Sequence, residues 1–600
     1  GTAKREVVET SRGIITDRNG KVLVSNRLAY TLVFDRSEFK KDDASLNAAI
    51  LRLIDLCRDT DTAWSDSLPM TTGPVPQLKV AARSASFQSY LEKRKLPVTT
   101  DAAELLEALR ELYGIDASCT VSQARDIAGV RYELDSRSSY TFAEDVSSEV
   151  ISQITDGHFD GVTIKTSSAR VYNTKLASHI LGTIGPIWQE EWSSDEKTGY
   201  VGYADRGYAM NDLVGKDGVE KAFEDYLHGK DGRRLVTTDE NGKLTGELYT
   251  REPQPGGTVA LTLDIDLQAV TEQTLASTIE GMMDKDSYQR GGAAVVMGVG
   301  NGEVLAMASY PSYDLETFNQ NYETLVEDDR LPMFNRATQG IYAPGSTFKL
   351  CTSVAALESG VITPSTIIED RGVYTYYKDP QPACWIWRQA RMTHGRINVS
   401  QAITAAIGQS YNAFTPLQLA NYVATLVSGG EHYAAHLLKS VKSYDNSRLI
   451  YNYDEKPLNN MNISDSTMAA VTKGMHDLTH DSLTSAFSRC MVEAGAKTGS
   501  AQVGTDIANG VFVAYAPYDD PEIAVAIVVE KGGSGSLLAN AAVDIINAWF
   551  SRQQQRHHGR EHPAAVSEVH YGNLFRSTRY TMQNALRCCA LQHRGAFYPF

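Results

Sequence analysis

Six hundred residues are too many for one hydrophobic core and imply roughly two to four domains. Apolar residues make up 42% of the chain and charged residues 22%, an ordinary globular balance that excludes wholesale disorder. Lys and Arg total 57 against 73 Asp and Glu, so the formal charge of −16 argues against a nucleic-acid partner. The seven cysteines, at 57, 119, 351, 384, 490, 588 and 589, are odd in number and contain no C-x-x-C pair. They signal neither a disulfide framework nor a zinc ribbon. No run approaches the ~20 apolar residues that span a bilayer. Beginning at Gly1 rather than Met, the chain reads as a soluble object whose natural start has been removed.

In chain order, the Asn19-Gly20 pair lies between β-rich segments and predicts a hairpin over 12–23. Residues 41–57 and 101–113 carry helical periodicity, the latter through Leu105, Leu106, Leu109 and Leu112. Residues 210–260 become rich in Gly, Asp and Lys, and this shift places a domain boundary near Gly256. Beyond it, Thr258–Asp264 alternates as a strand and Leu267–Met282 reads as a helix. Ala293–Gly300 and Glu303–Ser309 flank Asn301-Gly302 as a second hairpin; the run Gly298–Gly302 therefore reads as its turn and not as a dinucleotide fingerprint. Gly510–Ala516 and Glu522–Glu530 form another strand pair, followed by helix Ala539–Phe550. Strands at both ends with helices between predict an α+β domain whose sheet joins sequence-distant strands. Residues 551–600 hold seven Arg, no Lys, two Glu and no Asp, and read as a disordered or foreign basic tail.

Three S-x-x-K strings occur, at Ser37–Lys40, Ser194–Lys197 and Ser346–Lys349, and two K-T-G triplets, at Lys197–Gly199 and Lys497–Gly499. The first two serines lie in charged stretches that read as solvated surface. Ser346 differs: it follows Pro344-Gly345 and precedes a good helical run stopped by Gly360. A hydroxyl at a helix N-terminus faces unpaired N–H groups and the positive end of the dipole, which favour developing oxyanion charge. Lys349, at i+3, can share its face, and a partly desolvated lysine can act as a base. Ser346 can equally be an ordinary N-cap. Lys497, Thr498 and Ser500, around Gly499, would offer a charge and hydroxyls to a substrate carboxylate; an exposed surface strand is the other reading. No H-E-x-x-H, Walker or EF-hand pattern is present.

Pro344-Gly345-Ser346-Thr347-Phe348-Lys349 together with Lys497-Thr498-Gly499-Ser500-Ala501-Gln502 resembles the penicillin-binding proteins, serine acyltransferases of bacterial wall synthesis. Arg12-Gly13, Asp17–Gly20, Arg170-Val171-Tyr172 and Gly215–Glu220 resemble the amino-terminal pedestal of the class B members. Leu261–Asp264, Asn335-Arg336-Ala337 and Phe414–Gln418 resemble their transpeptidase domain, and the insert at about 36–150 is most similar to the elongation-type, penicillin-binding protein 2 subgroup. The resemblance implies a multidomain α+β chain. An elongated, mostly-β pedestal and dimerisation domain over 1–255 would precede a transpeptidase α/β sandwich over 256–550, helices packed on an antiparallel sheet.

It also implies a chemistry. Ser346 would attack the carbonyl between two D-alanines of a peptidoglycan stem peptide, with Lys349 taking its proton. The Ser346 and Ser500 N–H groups would form the oxyanion hole, and Lys497, Thr498, Gly499 and Ser500 would hold the substrate carboxylate. β-Lactams would acylate the same serine, and no metal or organic cofactor is needed. The partners implied are stem peptides, β-lactams and a membrane glycosyltransferase of the elongation machinery. The place implied is the outer face of a bacterial membrane, with the anchor helix absent from this chain. Glu220 is expected to pair with a pedestal arginine.

One departure bears on activity. The family's S-x-N element should follow Gly395–Ile403, but the chain passes directly to Thr404–Gln409, so a segment after about 403 is missing. Ser410-Tyr411-Asn412 matches the string literally, in the setting of a later helix start. An impaired or inactive scaffold, or β-lactam sensor, is therefore the alternative to a working D,D-transpeptidase. A serine β-lactamase is a third reading, disfavoured by the large pedestal.

Overall fold

The structure is a computed structural model that describes residues 2–36, 42–136, 139–159, 161–210, 212–238, 244–367, 406–409, 412–504 and 507–561. Its contacts divide the chain into two compact units that interleave along the sequence. One comprises Gly1–Ser11, Ser25–Val171 and Asp231–Pro253, the other Arg12–Val24, Tyr172–Lys230 and Gln254–Phe600.

In the first unit, strand Thr2–Val8 pairs antiparallel with Gly232–Thr238, which pairs in turn with Leu244–Arg251. The two helices expected from periodicity form as Asp43–Asp59 and Ala102–Tyr113. Asp42 and Asp101 cap them by accepting from the N–H groups of Ser45 and Ala103, and Gly114 ends the second in the left-handed conformation. Helix Val121–Ser136 gave no periodic signal because it buries charge among its apolar positions. Arg125, 2% exposed, forks onto Asp66 at 2.7 and 2.9 Å, and Arg131 reaches Asn47 Oδ1 at 2.7 Å.

The second unit carries the predicted first hairpin, Ile15–Thr16 against Val22–Val24, with Gly20 at φ 83°. Arg12 lies beneath it with Nε 2.6 Å from Glu220 and Nη2 2.7 Å from Glu224, so Glu220 does pair with an arginine. Gly256, near the expected boundary, lies just past the change of unit between Pro253 and Gln254 and is closely packed within the second unit. A Cβ on Gly256 would lie 1.9 Å from the Leu227 carbonyl oxygen, and one on Gly13 2.0 Å from that of Gly257. The glycines there permit this close backbone approach.

The central sheet of this unit has five antiparallel strands: β1 (Gly292–Gly298), β2 (Val304–Tyr310), β3 (Gly495–Ala501), β4 (Asn509–Ala516) and β5 (Ile523–Val529). Their order is β2-β1-β5-β4-β3, so the amino-terminal hairpin joins the carboxy-terminal one directly, Gly292 facing Val529 and Gly298 facing Ile523. Helices α1 (Ile265–Met283) and α5 (Ala539–Glu561) cover one face through Leu275, Ile279, Ile545 and Ile546. Helices α2 (Lys349–Glu358), α3 (Pro416–Val427) and α4 (Asp465–His480) contribute Leu350, Leu419, Val423, Val471 and Met475 to the core on the other. Covering both faces explains the unbroken apolar run of β5, every residue of which is buried.

Helix α5 continues to Glu561 rather than stopping at Phe550, and Arg552 ties it back to Asp264 at 2.7 Å. The remainder of the expected tail, 562–600, lies outside the described residues. Among the described residues no helix is long and apolar enough to cross a membrane.

Candidate active site

Ser346 lies in a 3₁₀ turn, Gly345–Phe348, that runs straight into α2. The N-cap positions of the turn and of α2 are Pro344 and Phe348, and neither makes a side-chain capping bond. Ser346 is thus inside the first turn and is not an N-cap, which removes the plainer of its two readings. Ser346 is half-buried and Lys349 is exposed, with no hydrogen bond between Oγ and Nζ. The desolvation expected of Lys349 is not found: its side chain is exposed, although Leu350 beside it is buried.

Two glycines let this turn meet β3. Gly345 has φ 55°, and a Cβ there would stand 3.0 Å from the Ser500 carbonyl oxygen and 3.2 Å from its nitrogen. A Cβ on Gly499 would stand 2.8 Å from the Pro344 oxygen and 3.1 Å from Thr347 Cγ2. The two motifs, distant in sequence, are therefore apposed along their backbones at positions that exclude side chains. Among the described residues β3 is the terminal strand of the sheet and pairs only with β4, Lys497 opposite Val513 and Ser500 opposite Gly510.

Lys497 is half-buried, and its Nζ donates to the Thr498 carbonyl at 2.9 Å. Burial first, and the neighbouring charge of Lys349 second, pull its ammonium down to about 8. The desolvated lysine is thus the strand residue and not the helical one. The same coupling brings the two lysines into one site. Thr498 is half-buried, Gly499 buried and Ser500 exposed, its hydroxyl 3.4 Å from the N–H of Gly535.

The supports of the turn were not legible beforehand. Tyr422 of α3 accepts from the Cys351 N–H at 2.9 Å and donates to the Thr347 carbonyl at 3.2 Å. Gly345 N–H donates to Gly408 O at 2.8 Å, and a Cβ on Gly408 would lie 2.0 Å from the Gly345 oxygen. Tyr342 exchanges backbone hydrogen bonds with Phe414, and its hydroxyl donates to Glu530, which Arg336 also holds at 2.9 Å. Each is one residue among many of its type, marked in the sequence only by the Asn335-Arg336-Ala337 and Phe414–Gln418 runs.

Of the other candidates, Ser194–Lys197 and the Lys197–Gly199 triplet are exposed loop, as expected, and Ser37–Lys40 lies outside the described residues. So do Ser410 and Tyr411 of the literal S-x-N string; the Asn412 side chain donates to the Gln409 carbonyl at 3.2 Å.

A two-sided helical sandwich whose Ser-x-x-Lys turn abuts a Lys-Thr-Gly edge strand is the fold of the penicillin-binding transpeptidase class. Residues 7–261 match the penicillin-binding protein dimerisation domain. Residues 292–405 and 394–547 match the penicillin-binding protein transpeptidase domain, in two overlapping pieces. The chain belongs to the penicillin-binding proteins that join these two domains, the class B, penicillin-binding protein 2-like group. It is 27% identical over 478 residues to a peptidoglycan D,D-transpeptidase MrdA of Acinetobacter baumannii, covering 65% of this chain and 67% of that protein. It is 25% identical over 661 residues to the MrdA of Escherichia coli K12, covering 94% and 90%. Among solved structures, a complex between penicillin-binding protein 2 and MreC from Helicobacter pylori matches with a TM-score of 0.60 at 20% identity, covering 92% of this chain and all of that one.

Proposed function

We propose that this chain is a peptidoglycan D,D-transpeptidase working through an acyl-enzyme on Ser346. The observation that carries the reading is the apposition of the Ser346 turn to Gly499 and Ser500 through glycine-only backbone contact. Ser346 Oγ attacks the carbonyl carbon between two D-alanines, its proton passes to Lys349 Nζ, and Lys349 returns it to the departing amine of the terminal D-Ala. An amine from a neighbouring stem then takes the acyl group and forms the cross-link. The N–H groups of Ser346 and Ser500, brought to one place by Gly345, stabilise the oxyanion. Lys497 and the hydroxyls of Thr498 and Ser500 bind the substrate carboxylate. β-Lactams acylate the same serine.

The names of the relatives support this substrate, and the MreC complex of one solved relative supports assembly within a wall-synthesis machine. A membrane glycosyltransferase is the further partner we propose, with the chain acting at the outer face of a bacterial membrane. A second reading, a β-lactam-binding scaffold that does not turn over, is favoured by the exposure of Lys349 and its lack of a bond to Ser346.

Fluorescent penicillin separates these readings. Stable labelling of the purified chain that disappears in Ser346→Ala supports the acyl-enzyme, and cross-linked product from a pentapeptide donor and an amine acceptor supports turnover. Labelling without product assigns the scaffold role, rapid release of hydrolysed drug assigns a β-lactamase, and no labelling refutes the acyl-enzyme.

A further inference from the structure

At the far end of α4, His476 and His480 stand four residues apart and so share one helix face. Glu493, two residues before β3, reaches across to both. His476 Nε2 is 2.9 Å and His480 Nε2 3.1 Å from the same oxygen, Glu493 Oε2, and the two imidazole centroids are 4.2 Å apart. No role in acyl transfer uses these residues.

The proton positions on His480 are fixed by its other nitrogen. Nδ1 lies 3.2 Å from the His476 carbonyl oxygen, which can only accept, and 3.1 Å from Thr479 Oγ1. The Thr479 hydroxyl spends its hydrogen on a carbonyl, His476 O at 2.7 Å or Ala494 O at 3.2 Å, so it offers Nδ1 a lone pair. Nδ1 is therefore the protonated nitrogen. In the neutral ring, Nε2 then points a lone pair at a carboxylate oxygen 3.1 Å away, a contact between two acceptors. A cation shared by the three atoms removes that conflict. An Nδ1–H held by a backbone carbonyl with Nε2 left free is also the arrangement by which proteins orient a metal-binding imidazole.

We propose that His476, His480 and Glu493 bind a divalent transition-metal ion, and imidazole with carboxylate donors makes zinc the best match. Ligand atoms around tetrahedral zinc with bonds of ~2.0–2.1 Å stand roughly 3.3 Å apart, so each histidine–Glu493 pair needs only a small expansion. Solvent supplies the remaining position, since His480 and Glu493 are both more than half exposed. Tyr518 braces the site: its ring lies 4.2 Å from that of His476, and its N–H donates to the Glu493 carbonyl at 2.8 Å. The ion would clip the end of α4 to the entry of β3, four residues before Lys497.

The test is zinc titration of the purified full chain against a chromophoric chelator, compared with the His476→Ala/His480→Ala and Glu493→Gln variants. Because cysteines and other histidines can also take zinc, the readout is the difference in stoichiometry. The proposal expects one equivalent fewer in the double variant and at least tenfold weaker binding of that equivalent in Glu493→Gln. Equal stoichiometry and affinity in all three proteins would overturn it and leave an imidazolium–carboxylate contact. Should the double variant not fold, cobalt loading of the unmodified chain decides. A tetrahedral component free of thiolate charge transfer at any loading supports the site, and the absence of such a component up to saturation refutes it.

Discussion

At the scale of single residues, the site depends on what is missing from two side chains. Gly345 and Gly499 admit the nucleophile turn to the edge strand, so Gly345→Ala should separate them while leaving the core intact. A displacement of about 1 Å at a reacting group costs on the order of 100-fold, and acylation by penicillin should slow by about that factor, with a modestly lower melting temperature because alanine is strained at φ 55°. Lys497 makes a pH prediction. Its ammonium, held near 8 by burial and by Lys349, is charged below that value and neutral above it. The acylation rate constant for a carboxylate-bearing penicillin should therefore fall as pH rises through about 8. Lys497→Arg, which stays charged, should move that falling limb upward; an unmoved limb would assign it to another group. Tyr422→Phe removes the hydroxyl that joins α3 to both sides of the turn. A loss of about 0.5–1.5 kcal/mol in urea unfolding, with slower acylation, is expected.

At the scale of elements, the sheet was readable and the helical packing around it only partly so. The runs 293–309 and 510–530 declared two hairpins because nearly every strand residue is apolar and each turn is marked by Gly, Asp or Pro. Ile527, 1% exposed in the central strand, illustrates the stake: Ile527→Ala should cost about 2–5 kcal/mol, measured by denaturant midpoint. The helices 43–59 and 102–113 were legible from their helical periodicity. Val121–Ser136 was not, because Arg125 and Arg131 occupy interior positions and find their partners in Asp66 and Asn47 only after folding. The candidate site followed the same division. Ser346, Lys349 and Lys497–Ser500 stood out as spaced motifs, whereas Tyr422, Gly408 and Glu530 act through distances that no spacing encodes. Which of the two lysines loses solvent was likewise invisible, since it depends on what covers each.

At the scale of the whole molecule, stability is tied to pH through a buried charge cluster. Burial alone would raise the Glu224 carboxyl, but a hydrogen bond with His228 and the charge of Arg12 outweigh it and hold the group at about 2, against an ordinary value of 4.5. A carboxyl depressed on folding adds stability that is complete above its unfolded value and drains as pH falls toward its folded one. The chain should lose stability between pH 4.5 and about 2, followed by circular dichroism melts, and Glu224→Gln should flatten that slope while lowering stability at neutral pH. A slope unaltered by the substitution would place the acid-labile charge elsewhere.

The order of the strands has a consequence for biosynthesis. β1 and β2 leave the ribosome early, yet the neighbour of β1 is β5, whose first residue, Ile523, faces Gly298. At 5–20 residues per second, translation needs roughly 10–45 s to supply that partner. Through that interval the nascent hairpin carries a bare apolar margin, and a chaperone or the already synthesised helix α1 must shield it until the last strand arrives.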